Sequence, residues 1–174
     1  YASEGYPPLW IEGRHLKADA PLRMCGNVSS QYVSAMMMVA PMMKDGLTIE
    51  IEGGLTSRPY VEMTAALMRH FGAEVTVGES TIVIEGKPYS PSSLTVESDW
   101  SAASYIYELA LAVPGRSVTV SSLTDAALSL QGDSLCQNFF NWLGVETRRL
   151  NDDPYGPVEI EGNPEIIGRM RSLD

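Results

Sequence analysis

No run of basic residues occurs anywhere in this sequence, and that absence excludes one class of partner at the outset. Nucleic acids and anionic membrane surfaces are bound by clustered Lys and Arg that displace counterions. Here 12 Lys and Arg are set against 22 Asp and Glu, a formal net charge of -10. Long apolar runs are missing as well: the longest, Tyr32 to Met43, is too short to cross a bilayer, and the first residues lack the basic-then-apolar order of a signal peptide. The expected compartment is therefore the cytoplasm. Cysteine is scarce, with Cys25 and Cys136 far apart and no C-x-x-C spacing, so two buried free thiols are expected rather than a disulfide scaffold. Histidine is scarcer in any useful arrangement, because His15 and His70 each stand without a second candidate ligand; no metal site is expected. Residue 1 is Tyr rather than Met, and nothing before Leu9 to Glu12 reads as a helix or strand, which suggests an excised piece of a longer chain.

What the sequence does contain is enough apolar material, 44% of 174 residues, for one ordinary core or two small ones. It is distributed as an internal repeat, the feature that constrains architecture most strongly. Phe71-Gly72-Ala73-Glu74-Val75 returns as Leu143-Gly144-Val145-Glu146-Thr147, and Glu85-Gly86-Lys87-Pro88 returns as Glu161-Gly162-Asn163-Pro164. Upstream, the stretch around Ser29-Ser30-Gln31-Tyr32 returns around Ser101 to Tyr105, with the two tyrosines 73 residues apart.

In the first unit, Ser30 to Met43 reads as a helix with Val33, Met36, Met37, Ala40 and Met43 on one stripe; Met36, Met37, Met38, Met42 and Met43 are expected to be core filler rather than a soft-metal or adaptable binding surface. Leu47 to Glu52 alternates apolar and acidic residues, the period of a half-buried strand. A helix from about Pro59 to Phe71 follows, turning Val61, Ala65, Met68 and Phe71 inward, with proline in its first turn and Gly72 at its end. Glu74 to Val77 and Thr81 to Glu85 read as short strands. With a strand before the first helix, the order is βαβαββ. The second unit repeats it with strands Leu94 to Glu97, Ser117 to Ser121, Glu146 to Arg149 and Val158 to Ile160 and helices Ser101 to Val113 and Asp133 to Leu143. Lys87 to Ser93, with two prolines and three serines, is the natural boundary. The fold class is thus α/β (α+β) with tandem βαβαββ units.

Four ordered motifs carry a resemblance. Gly26-Asn27-Val28-Ser29-Ser30-Gln31-Tyr32 and Ser57-Arg58-Pro59-Tyr60 resemble the shikimate-phosphate-binding segments of the 5-enolpyruvylshikimate-3-phosphate synthase family. Glu97-Ser98-Asp99-Trp100-Ser101-Ala102-Ala103-Ser104-Tyr105 resembles the segment where that family's chain crosses between domains, and Leu130-Gln131-Gly132-Asp133 resembles its Q-G-D turn. The resemblance covers essentially the whole chain. It implies the enolpyruvyl transferase fold, an inside-out α/β barrel of six βαβαββ units in two lobes, with residues 1 to about 95 in one lobe and about 96 to 174 in the other. It also implies the family's reaction, transfer of the enolpyruvyl group of phosphoenolpyruvate to the 5-hydroxyl of shikimate 3-phosphate, with no metal or organic cofactor, and the remaining units of the same enzyme as partners.

A helix N-terminus offers unpaired N–H groups and partial positive charge, so adjacent serines there make a ready phosphate site. Position alone favours the plainer role, an N-cap contributing about 1 kcal/mol; the resemblance reverses the preference for Ser29 and Ser30. By resemblance Ser29, Ser30 and Ser57 hold the 3-phosphate, Gln31 reaches the ring and the enolpyruvyl group, and Tyr60 lies beside the ring. Ser57 has capping and Tyr60 aromatic packing as the alternative. Arg58 receives no role, Asp99 reads as a cap, and Glu108 as a solvated acid. The family's catalytic lysine, phosphoenolpyruvate-binding arginines and P-D-x-A aspartate have no counterpart; Asp174 lacks those surroundings. No catalytic residue is therefore assigned, and the chain alone is expected to be inactive. Two other readings compete. One is the sister transferase acting on UDP-N-acetylglucosamine, disfavoured because the serine motifs suit a compact phosphorylated ring. The other is a non-catalytic βαβαββ module that associates through open sheet edges or an uncovered face.

Overall fold

A computed structural model describes residues 5–27 and 29–172. The chain divides between Ser92 and Ser93 into two compact units, each an α/β layer of helices on a small sheet.

The first unit runs β1 (Leu22–Cys25), α1 (Ser30–Val39), β2 (Leu47–Glu52), α2 (Arg58–His70), β3 (Val75–Val77) and β4 (Thr81–Ile84), the βαβαββ order expected. Its sheet has the order β1-β2-β4-β3; β1 and β2 are parallel, the other pairs antiparallel. A parallel pair needs a crossover connection, which α1 supplies. The alternation in β2 sends Leu47, Ile49 and Ile51 into the core against Ile82 and Ile84 of β4. From the helices, Val33, Met37 and Ala40 of the α1 segment and Val61, Ala65 and Met68 of α2 close over them. Burying each large aliphatic side chain contributes about 1.5–3 kcal/mol. Met43 is buried and Met36 packs at the margin, as the stripe implies, but Met38 and Met42, expected to fill the core, are 51% and 67% exposed because they fall off that stripe. The α-helix also stops at Val39, and Ala40–Met42 tightens into a 3-10 turn. Pro41 has no N–H to continue the ladder. Gly72, at φ +84°, ends the α2 segment in the left-handed conformation that glycine adopts without strain.

The second unit contains α3 (Trp100–Ala112), β5 (Ser117–Val120), a 3-10 turn (Gly132–Leu135) leading into α4 (Cys136–Trp142), β6 (Val145–Arg149), β7 (Val158–Gly162) and α5 (Pro164–Arg171). The sheet is three-stranded and antiparallel, order β5-β7-β6. The strand expected at Leu94–Glu97 does not form. Side chains rather than a backbone ladder hold its end: Glu97 accepts the Leu130 N–H and Ser98 donates to the Ser122 carbonyl. Helix α5 was not anticipated, although Asn163-Pro164-Glu165 carries its signal: the Asn163 side chain accepts the Glu165 and Ile166 N–H groups, and proline opens the first turn.

The repeat is visible in burial. Val33, Met37 and Ala40 recur as Ala103, Tyr107 and Ala110, 70 residues on. The structural register of the leading helices is therefore 70, not the 73 that aligned Tyr32 with Tyr105. Which side chains enter the core sets that register, and both tyrosines are exposed. In the second core Trp100 stacks on Tyr107 and Tyr107 on Phe140, with centroids 6.3 and 5.4 Å apart. Tyr107 shares a 2.7 Å hydrogen bond with Thr147, and burial pushes its phenol up to about 12. Both cysteines are free; Cys136 is half-buried, whereas Cys25 is exposed rather than buried as expected, because it falls on the outward face of β1. No helix among the described residues is long and apolar enough to cross a membrane.

Candidate functional site

Because β1 and β2 are parallel, both deliver the chain to the same edge of the first sheet, and each then enters a helix. The two connecting loops are stitched together at Gly26. Its N–H donates to the Glu52 carbonyl at 2.7 Å, and its carbonyl accepts both the Thr56 N–H at 3.1 Å and the Thr56 hydroxyl at 3.2 Å. A Cβ on Gly26 would lie 1.8 Å from the Gly54 carbonyl oxygen, so only glycine permits this approach. Beyond the loops α1 and α2 pack side by side, with the Ser34 and Thr64 hydroxyls 2.9 Å apart.

Of the five residues singled out from the sequence, three head α1 and two head α2. Ser29 is the N-cap of α1, exposed, with its hydroxyl accepting the Gln31 N–H at 3.3 Å. Ser30 opens the helix half-buried, and the Gln31 side chain is exposed. Ser57 is the N-cap of α2, half-buried, and its hydroxyl makes no capping bond. Tyr60, 46% exposed, donates its N–H to the Ser57 carbonyl at 3.2 Å. None of the three serines is sealed in the core. The capping alternative is thus realised at Ser29 and not at Ser57.

Neither first turn contains an acidic residue. Each helix N-terminus carries the equivalent of about half a positive charge, which Asp and Glu commonly offset. Arg58, the first residue of α2, pairs with Glu62 one turn along at 2.9 Å.

In the second unit the equivalent helix start is filled by the protein itself. Asp99 caps α3 by accepting the Ala102 N–H at 3.0 Å, as its reading as a cap implies. Gln131 grips the same turn twice: its Nε2 donates to the Ser98 carbonyl at 2.7 Å and its Oε1 accepts the Trp100 N–H at 3.0 Å. Asp133 accepts the Ser101 hydroxyl, and Glu97 accepts the Ser129 hydroxyl and the Leu130 N–H. The structure so joins two motifs, Glu97 to Ser101 and Gln131 to Asp133, that sequence reasoning left separate. Their spacing of about 30 residues gives no local signal of contact. Glu108 is exposed. Asp174 and Val28 lie outside the described residues, and among those described no group of three His, Cys, Asp or Glu side chains is placed to hold a metal.

A family model described as EPSP synthase (3-phosphoshikimate 1-carboxyvinyltransferase) matches residues 1–162. Curated proteins named 3-phosphoshikimate 1-carboxyvinyltransferase are similar across most of the chain. One from Bacteroides fragilis (strain YCH46) is 43% identical over 146 residues, covering 83% of this chain and 35% of the relative. One from Bordetella petrii is 37% identical over 98% of this chain and 38% of its own length, and one from Ralstonia pickettii 40% over 99% and 39%. The chain thus spans less than two-fifths of the length of these relatives.

Proposed function

The chain belongs to the EPSP synthase family, and from that membership and the geometry at the heads of α1 and α2 we propose that it supplies the shikimate 3-phosphate-binding part of an enolpyruvyl transferase. The complete enzyme transfers the enolpyruvyl group of phosphoenolpyruvate to the 5-hydroxyl of shikimate 3-phosphate, in the synthesis of aromatic amino acids in the cytoplasm. Ser29, Ser30 and Ser57 receive the 3-phosphate, Gln31 the ring and the enolpyruvyl group, and Tyr60 flanks the ring.

One observation carries this reading: two helix starts headed by serine and without acids in their first turns, their loops bonded to each other through Gly26. Backbone N–H groups and hydroxyls at such a place favour an oxyanion. The same features limit what the chain does by itself. Each exposed helix start offers about 0.3–1 kcal/mol, whereas micromolar binding needs about 8 kcal/mol. The chain alone therefore binds shikimate 3-phosphate no better than millimolar and does not turn over; the further cations and the acid and base of the reaction come from the other units.

The inside-out barrel belongs to this proposal too, with residues 1 to about 95 and about 96 to 174 in different lobes. It is supported by α1 and α3, which are apolar on both sides. Beyond the buried stripe, Tyr32 and Val39 of α1 and Tyr105 and Leu109 of α3 are exposed. A helix apolar all round belongs in an interior, which helices of further units would provide.

The test is an amide-resolved NMR titration of the chain with shikimate 3-phosphate. Shifts concentrated at residues 29–31 and 57–60, saturating in the millimolar range, are the expected result. A response confined to the second unit, or none up to tens of millimolar, refutes the assignment; phosphate release by the chain alone refutes the claim of incompleteness.

A further inference from the structure

We propose that Leu9 to Gly13 is the last strand of a third unit like the two described, and that it docks between two strands of a βαβαβ layer of the same kind that lacks only that strand. The inference stands apart from the phosphate site and does not depend on it.

The repeat extends beyond its two longer copies. Leu9-Trp10-Ile11-Glu12-Gly13 precedes Ile82-Val83-Ile84-Glu85-Gly86 by 73 residues, and that stretch precedes Val158-Glu159-Ile160-Glu161-Gly162 by 76. Each copy sets two aliphatic residues two apart ahead of Glu-Gly, the period of a strand with one buried face. The later two copies fall on β4 and β7, whose inward residues Ile82, Ile84, Val158 and Ile160 are at most 2% exposed. Residues 9–13 form no strand, and Leu9 and Ile11, at the same positions of the repeat, are 51% and 81% exposed.

Glycine supplies a second, independent sign. A Cβ on Gly86 would lie 2.7 Å from backbone atoms of Met43, Lys44 and Gly46, where the chain leaves the α1 segment, and one on Gly162 would lie 2.2 Å from the Ala110 carbonyl oxygen in the last turn of α3. In both units this glycine lets the last strand pass close to the end of the leading helix. An added Cβ on Gly13 meets nothing within 4 Å. The residue suited to a tight approach is present, and what it would approach is not among the described residues.

Topology defines the kind of partner. Strand β4 lies between β2 and β3, and β7 between β5 and β6, antiparallel to both neighbours each time. A unit's last strand is therefore central and needs two edges rather than one. Ile84 sits opposite Leu47 and Val75, and Ile160 opposite Val118 and Thr147. The partner of residues 9–13 is thus a layer with a gap one strand wide, both flanking strands antiparallel to the incoming segment, aliphatic or β-branched residues opposite Ile11, and a helix end beside Gly13. Main-chain hydrogen bonds on both sides supply the affinity of such an insertion, and the alternate side chains its specificity.

Hydrogen exchange measured on this chain and on the full-length Bordetella petrii relative, which aligns with 98% of it, tests the assignment. Amides 9–13 should exchange freely in this chain, while the aligned amides of the relative exchange at least about a hundredfold more slowly, in the range of those aligned with β4 and β7. Ile11→Asp should leave exchange in both units of this chain unaltered, and the corresponding change in the relative should strip the aligned segment of its protection. Free exchange of the aligned amides in the relative overturns the inference. So does a loosening of either unit by Ile11→Asp, which would put the partner inside this chain, and so does protection of residues 9–13 that grows with chain concentration, which would make the partner a second copy. Should the aspartate variant of the relative fail to fold, the two unmodified proteins decide alone.

Discussion

Replacing Gly26 with alanine would put a methyl carbon 1.8 Å from the Gly54 carbonyl oxygen, 2.5 Å from its carbon and 2.8 Å from Cγ2 of Ile51. Two of those atoms are backbone, so no rotamer change relieves the clash and the two loops that meet at Gly26 and Gly54 must part. Overpacking a tight site costs about 1–3 kcal/mol. Parting the loops also endangers the bonds from Thr56 to the Gly26 carbonyl and from the Gly26 N–H to Glu52, each contributing about 0.5–1.5 kcal/mol. The first unit should lose about 2–4 kcal/mol, a sum that non-additivity between neighbours can lower. Hydrogen exchange followed by NMR separates the two units, because each has its own core. Amides of α1 and β2 should exchange faster by a factor of about 30 to 1,000, while those of α3 and β7 stay as they were. A control at Gly53, also at positive φ but with nothing within 4 Å of an added Cβ, should cost only the strain of the left-handed backbone, about 1–2 kcal/mol. If Gly26→Ala leaves α1 and β2 unchanged, or is milder than Gly53→Ala, the stitched-loop account of the site is wrong.

Two predictions concern the second unit. Burial raises the Tyr107 phenol from 10 to about 12, so its neutral form stabilises the fold fully below pH 10 and that contribution fades as pH climbs from 10 through 12, by up to about 2–3 kcal/mol. Denaturant midpoints of the second unit should fall over that window, and Tyr107→Phe should flatten the dependence; an equally steep fall in the variant would contradict this. Gln131→Ala leaves the Ser98 carbonyl and the Trp100 N–H without their partner, which should destabilise the start of α3 by about 1–3 kcal/mol. Faster exchange of the Trp100 amide with unchanged amides in α2 is the expected signature, and a protected Trp100 amide would argue that the clamp is dispensable.

The parts of this protein that could be read without coordinates are those governed by local periodicity. Leu47 to Glu52 is a strand at the residues its alternation marks, and Arg58–His70 matches its expected helix to within a residue at each end. Ser29 and Ser57 stand where serines before apolar-periodic runs should stand, at helix caps. The βαβαββ order of the first unit follows from its periodicity, and membership of the family from motifs that lie in its loops and at the start of α3. Pro41 was legible in principle, since a missing N–H is a property of the residue itself.

Tertiary structure decided what depends on residues distant along the chain. Leu94 to Glu97 has the composition of a strand, but a strand exists only where a neighbour's backbone pairs with it, and Glu97 and Ser98 are held instead by side-chain bonds to residues 122 and 130. The offset of 70 between the leading helices came from which faces the two cores bury, not from which letters agree. The meeting of Gly26 with Gly54, and of Gln131 with the start of α3, depends on contacts across about 30 residues. Hydrophobic period and capping chemistry act over a turn or two and are written in the chain, whereas the joining of loops and edges is settled by the packing of whole elements.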